Sequence, residues 1–286
     1  LGGPAGKIPS FAFPEQAALA LARAAEYGRW RARPPGQRPR FPDLRPDEAA
    51  AIIAEGLAEG PGWLAEDRVE RLLDCYGIRL ARAERAPTPQ EAGAAAARIG
   101  RPVALKAFGP DIVHKTDLGA VELGLSGPAE VEAAARAMAE RLAASGITPQ
   151  GYLVQEMVEG GVEMLVGVAH DPLFGPVVAC SAGGTAVELL RDVSVRLAPL
   201  TDLDAREMVR SLRTFPLLDG FRGAPKADVP ALEELILRVS ELVEAHPEVA
   251  EMDCNPVMVL PHGAVVVDAR VRLAEVPPRP PLFSVG

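Results

Sequence analysis

Six segments between Ile78 and Val158 alternate in the period of their apolar residues, and this alternation restricts the chain to a layered α/β fold. "IRLARAE", "PVALKAF", "GAVELGL" and "GYLVQEMV" read as strands. "TPQEAGAAAARIG" and "GPAEVEAAARAMAERLAASG" read as helices. The first helix is signed at both ends: Thr88 as N-cap, Pro89 at the first helical position, Glu91 completing a capping box and Gly100 as terminator. In the second, Val131, Ala135, Met138 and Leu142 fall on one face.

A second set follows. "VEMLVGVAHD" and "FGPVVACSA" are strands able to pair around Asp171-Pro172. "DAREMVRSL" and "PALEELILRVSELVEAHP" are helices. "AEMDCNPVMVL" and "GAVVVDARVRL" are strands joined through Pro261-His262-Gly263. Upstream, "GPGWLAEDRVERLLDCYG" carries a helical stripe of Leu64, Val69, Leu72 and Leu73 that Gly77 stops. Pro14 to Trp30 is an alanine-rich helix, and from Arg31 to Pro46 five prolines interleave with five arginines as a stiff linker. The expected divisions are 1–47, a tail of an upstream domain plus linker; 48–155 and 156–275, two subdomains; and 276–286, a disordered tail.

Across 286 residues the formal charge is −9, which argues against nucleic-acid or anionic-membrane binding. No run is long enough to span a bilayer and no signal peptide is visible. Cys75, Cys180 and Cys254 are odd in number and far apart, which argues against a disulfide framework and fits a reducing cytoplasm.

Candidate chemistry collects in a few places. Lys106 lies inside an apolar strand and must find solvent or an anion. His114, one of four histidines, sits on the Gly/Pro-marked loop after that strand, followed by Lys115. Asp253 and Asn255 stand two apart in a strand, and Asp268 lies on its hairpin partner, so Asn255 and Asp268 can supply two oxygens to a hard cation. Glu156 and Glu163 flank a strand crossing, and Gly183-Gly184 is either an anion nest or a plain turn. Singly, each has an ordinary reading: a snorkelling lysine, a surface histidine, solvated acids.

Together, "PVALKAFGPDIVHKTDLGAV", "VQEMVEGGVEMLVGVAHDPLFGPVV", "GGTAVELLRDVSVRLAPL" and "EMDCNPVMV…VVVDARVRL" resemble the ATP-grasp domain of NDP-forming acyl-CoA synthetases, relatives of the succinate–CoA ligase β subunit. The resemblance covers about residues 60 to 273 in unbroken order. It implies an ATP-grasp fold of two subdomains that clasps ATP or ADP with Mg²⁺. By this resemblance Lys106 would grip phosphates. Glu156, Met157 and Val158 would line the adenine, and Glu163 would take the ribose. Asn255 and Asp268 would hold Mg²⁺. Asp253 would lie beside the transferring phosphate, and His114, followed by Lys115, would carry phosphate transiently. "IPSFAFPEQAALALARAAEYGRWR" resembles the closing helix of a preceding CoA-ligase domain, so CoA-binding and primary phosphohistidine domains would lie upstream or on a partner subunit. The implied reaction is ADP-forming acid–CoA ligation. The alternative is an inactive nucleotide-sensing module fused to a protein acetyltransferase. One departure stands out: Gly119-Ala120 replaces the family's usual glycine pair, and a positive φ at Ala120 would strain the loop.

Overall fold

The computed structural model describes every residue except 1, 4, 5, 8, 110, 111, 113–117, 185–191 and 277–286. His114 and Lys115, and nearly all of the expected C-terminal tail, therefore lie outside the described residues.

Residues 1–37 form one unit. A two-residue ladder pairs β1 (Gly2–Gly3) with β2 (Gly6–Lys7). Helix α1 (Pro14–Ala32) begins on its expected proline and buries none of its residues. Its last turns are organised by Tyr27 stacking on Trp30, with Arg31 over the tyrosine ring.

Residues 38–286 form the second unit, built on two antiparallel sheets. Its first elements are α2 (Pro46–Ala58), β3 (Gly62–Trp63) and α3 (Glu66–Cys75). Next come β4 (Ala83–Ala86), α4 (Pro89–Ile99), β5 (Val103–Phe108), β6 (Val121–Leu125), α5 (Pro128–Ala144) and β7 (Gly151–Glu156). The chain continues through β8 (Val162–Asp171), β9 (Gly175–Ala182), β10 (Val193–Leu197), α6 (Asp202–Arg210), α7 (Phe215–Leu218) and α8 (Val229–Ala245). It ends with β11 (Val249–Val259), β12 (Ala264–Val266) and β13 (Ala269–Leu273).

The smaller sheet runs β4-β7-β5-β6, with α4 and α5 on one face. Alternation sorts its strands: Val103, Leu105 and Ala107 enter the alanine-rich core under those helices, and Lys106 points the other way. The N-cap and the glycine stop of α4 form as expected, with Thr88 Oγ1 accepting the Glu91 amide at 3.2 Å and Gly100 taking φ of +70°; of the expected capping box this is the half that the helix shows. The larger sheet runs β10-β9-β8-β11-β13-β3, with β12 beside β11. Asp171 caps the β8–β9 turn by accepting the amides of Leu173 and Phe174.

The cores depart from the expected subdomain boundaries. Residues 48–155 do not share one core: Ala49, Ile52 and Ile53 of α2, and Val69, Leu72 and Leu73 of α3, pack with the larger sheet. The expected strand 78–84 is also divided. Its first half bonds to the larger sheet, with Val266 N–H donating to Arg79 O and Ala81 N–H donating to Val266 O, each at 2.8 Å. Its second half joins the smaller sheet: Arg82 O accepts the Glu156 amide at 2.8 Å, and β4 pairs with β7. Residues 79–86 thus pass from one sheet to the other.

The expected strain at Ala120 does not arise. Gly119 takes the positive φ, +61°, and among the described residues Arg222 is the only non-glycine that does so. Ala120 is fully buried and its carbonyl accepts the Ala107 amide at 2.8 Å.

Helix α3 is anchored at its C-terminal end by two contacts. Tyr76 OH lies 2.9 Å from His246 Nε2, both side chains buried, and burial holds the His246 pKa below the ordinary 6.5. Arg238, 12% exposed, donates to Tyr76 O and Asp43 while lying 4.4 Å over the Phe41 ring.

A histidine whose folded pKa is depressed stabilises fully above 6.5 and loses that contribution as pH falls through 6.5 towards the lowered value. The urea midpoint of the wild type should therefore drop between neutrality and about pH 5, and His246→Gln, which keeps an acceptor but does not titrate, should flatten that drop. Arg238→Met should cost about 1–3 kcal/mol in the same assay. Arg238→Lys should recover little of it, because an ammonium cannot match the planar fork.

Candidate nucleotide site

The two sheets face each other across a cleft of about 820 Å³, within the range that holds small ligands. Lys106, Leu153 and Gln155 line it from the smaller sheet, Val267 and Asp268 from the turn between β12 and β13, and Ala269 and Arg270 from the start of β13. Helix α3 closes a third side with Glu66, Asp67 and Glu70, and Arg85 lies 3.3 Å from Glu66 across the wall.

Lys106 Nζ donates to Gln155 Oε1 at 2.8 Å. Asn255 and Asp268 meet as their hairpin spacing predicts: Asn255 N–H donates to Asp268 O, and Val267 N–H donates to Pro256 O, both at 2.9 Å. This pairing fixes two oxygen-bearing residues side by side next to a bulge between Cys254 and Val257. Both are exposed, as metal ligands open to a phosphate must be. Among the described residues no group of three or more His, Cys, Asp or Glu could hold a metal alone. The Asn255/Asp268 pair offers two adjacent oxygen-bearing side chains, and Mg²⁺ is commonly held by one or two protein oxygens with water and phosphate filling its shell. Asp253 is half-buried on β11; burial pushes its carboxyl above the ordinary range, Arg270 opposes the shift and Asp268 adds to it.

Asn255 and Asp253 stand behind Asp268 and Arg270 and are not themselves part of the cleft lining. The remaining expected residues also lie outside it, along the crossover from β7 to β8. Glu156 ends β7, opposite Val103. Met157 N–H donates to Pro102 O at 2.8 Å and is therefore already committed. Glu163 is exposed on β8, and its carbonyl accepts the Gly183 amide at 2.7 Å. A Cβ at Gly183 would lie 2.8 Å from that carbonyl carbon, so close packing explains the first glycine of the pair, and its amide is not offered to an anion.

Gln155, Arg85, Arg270 and the α3 acids were not legible as site residues. Period-two alternation places Gln155 two positions after Leu153 on the face opposite Tyr152 and Val154, which is the one signal that marks it.

The geometry agrees with what known proteins show. The family model described as the ATP-grasp domain matches residues 55–273. The ADP-forming acetate–CoA ligase I of Archaeoglobus fulgidus is 40% identical over 94% of this chain, which spans only 39% of that relative. Subunit beta of the ADP-forming acetate–CoA ligase II of Pyrococcus furiosus is 38% identical over 79% of this chain and is itself 98% covered. Among solved structures, the acetyl-coenzyme A synthetase 1 of Ca. Korarchaeum cryptofilum, in complex with coenzyme A and Ca-AMPCP, superposes with a TM-score of 0.73 at 37% identity, covering 79% of this chain and all of that one. No helix among the described residues is long and apolar enough to cross a membrane. The chain belongs to the ATP-grasp family, as a domain of the type found in the β subunits of ADP-forming acetate–CoA ligases.

Proposed function

We propose that this chain binds ATP or ADP in the cleft and exchanges a phosphoryl group between the nucleotide and His114, as the ATP-grasp part of an ADP-forming acid–CoA ligase. The observation that carries the reading is the convergence of Lys106, from one sheet, and Asp268, from the other, on a single cleft, with Asn255 bonded to Asp268.

In this reading Lys106 donates to the β- and γ-phosphate oxygens, where a charge-assisted hydrogen bond is stronger than a neutral one. Asn255 and Asp268 hold Mg²⁺, which when bound neutralises part of the polyphosphate charge. The adenine lies against Glu156 and the Met157–Val158 backbone. With the Met157 amide occupied, its recognition falls to the Met157 carbonyl and the Val158 amide. Glu163 takes the ribose hydroxyls. A nitrogen of neutral His114 attacks the γ-phosphorus; the bond from that phosphorus to the β–γ bridging oxygen breaks, and ADP leaves with the electron pair. Lys115 and Asp253 flank the moving phosphoryl group. One form of the Korarchaeum synthetase was solved with Mg-AMPPCP and its phosphohistidine segment pointing towards the nucleotide site, which supports the scheme by analogy.

The rest of the ligase reaction belongs, in this proposal, to CoA-binding and primary phosphohistidine domains upstream or on a partner subunit. Residues 1–47 would be the end of that upstream part. The longer Archaeoglobus ligase matches 94% of this chain and the Pyrococcus subunit beta 79%, as expected if the N-terminal region lies outside the β-type domain. The relatives named above carry the names of acetate–CoA ligases and an acetyl-coenzyme A synthetase, which favours the ligase reading.

Titration calorimetry tests the nucleotide site. Lys106→Met should weaken Mg·ADP binding about 10- to 150-fold, the value of one charge-assisted hydrogen bond. Asp268→Asn should weaken it only when Mg²⁺ is present; in excess chelator the variant should bind ADP at least as tightly as the wild type, because one charge that repels the bare nucleotide is gone. Unchanged Mg·ADP affinity in Lys106→Met would sink the proposal. The transfer step is tested by incubating the full-length protein with γ-labelled ATP. Acid-labile label should form on the wild type and be lost in His114→Ala, and equal label on both would remove His114 from the mechanism.

A further inference from the structure

Gln155 is 5% exposed, and both ends of its amide are engaged. Oε1 accepts from Lys106 Nζ at 2.8 Å, and Nε2 donates to Val267 O at 2.9 Å. The amide orientation is fixed by its partners: an ammonium only donates and a peptide oxygen only accepts, so the flipped rotamer would place donor against donor and acceptor against acceptor. The backbone of Gln155 is clamped in the middle of the smaller sheet, paired with Ala83 on one side and Ala104 on the other. Val267 immediately precedes Asp268 and is held from behind by Pro256 O. One neutral side chain therefore spans from the cation of one sheet to the acid-bearing turn of the other.

We propose that Gln155 is a positioning residue that sets Lys106 and the Asp268 turn in mutual register, so that phosphate held by the first is presented to metal held by the second. The proposal rests on the roles of Lys106 and Asp268 given above. It also explains why an amide occupies this position. A glutamate would neutralise the lysine and could not donate to Val267 O. A leucine would leave Val267 O without this donor and Lys106 without this acceptor. An asparagine, one methylene shorter, cannot reach both.

The consequence is energetic coupling between the two binding elements. In the wild type, Lys106→Met and Asp268→Asn should cost less together in Mg·ADP affinity than the product of their separate fold-losses, because each disturbs a shared arrangement. The test repeats this double-mutant cycle in a Gln155→Leu background, by calorimetry on the 286-residue chain, with ADP measured in Mg²⁺ and in excess chelator. With the tie removed, the two losses should become multiplicative, and the enhancement of ADP affinity by Mg²⁺ should fall about tenfold. Gln155→Glu should bind ADP more weakly than Gln155→Leu with or without metal. Gln155→Met, which retains the unbranched shape, should reproduce the leucine result and stands in if the leucine variant does not fold. A purely structural role would lower the thermal midpoint without changing the cycle. Unchanged Mg²⁺ enhancement together with an unchanged cycle in Gln155→Leu would overturn the proposal while leaving the site intact. If Lys106→Met and Asp268→Asn are themselves silent in the wild type, the nucleotide reading fails and this inference falls with it.

Discussion

The two sheets are held in relation by a few groups around Val266 and Val267, and the candidate site depends on them. Val266 exchanges backbone hydrogen bonds with Arg79 and Ala81 just before that strand enters the smaller sheet. Val267 O receives the amide of Gln155, and its N–H reaches Pro256. These bonds lie beside the residues that meet in the cleft, and the tie between the sheets is made where the site is made. A hinge placed far from the site would let Lys106 and Asp268 drift by ångströms for a few degrees of rotation; contact at the site itself limits that drift.

Much of this was legible in the sequence. Period-two runs, capped helices and the Pro-His-Gly turn located the elements because each is decided by neighbours a few residues away. The meeting of Asn255 with Asp268 was legible for the same reason, since a short hairpin fixes register. What was not legible required contacts between distant residues. The packing of α2 and α3 against the larger sheet depends on apolar surface some hundred or more residues downstream. The division of residues 78–84 between two sheets depends on Val266, far along the chain. A glutamine in a strand carries no local mark of being the bridge between lobes; its partners at Lys106 and Val267 give it that role. At Ala120 the family pattern suggested strain, whereas Gly119 alone supplies the positive φ.

The charges of the cleft explain how an acidic protein can be read as a polyphosphate binder. Lys106, Arg85 and Arg270 face Glu66, Asp67, Glu70 and Asp268. Arg85 lies 3.3 Å from Glu66, which leaves it less free to meet a phosphate. A di- or triphosphate entering this wall meets nearly balanced charge and cannot be neutralised by side chains alone. The proposed metal at Asn255 and Asp268 supplies the missing positive charge, and the same acids that repel a bare nucleotide favour the cation. Affinity in such a cleft belongs to the metal–nucleotide pair, and the register between Lys106 and the Asp268 turn then decides how well that pair fits.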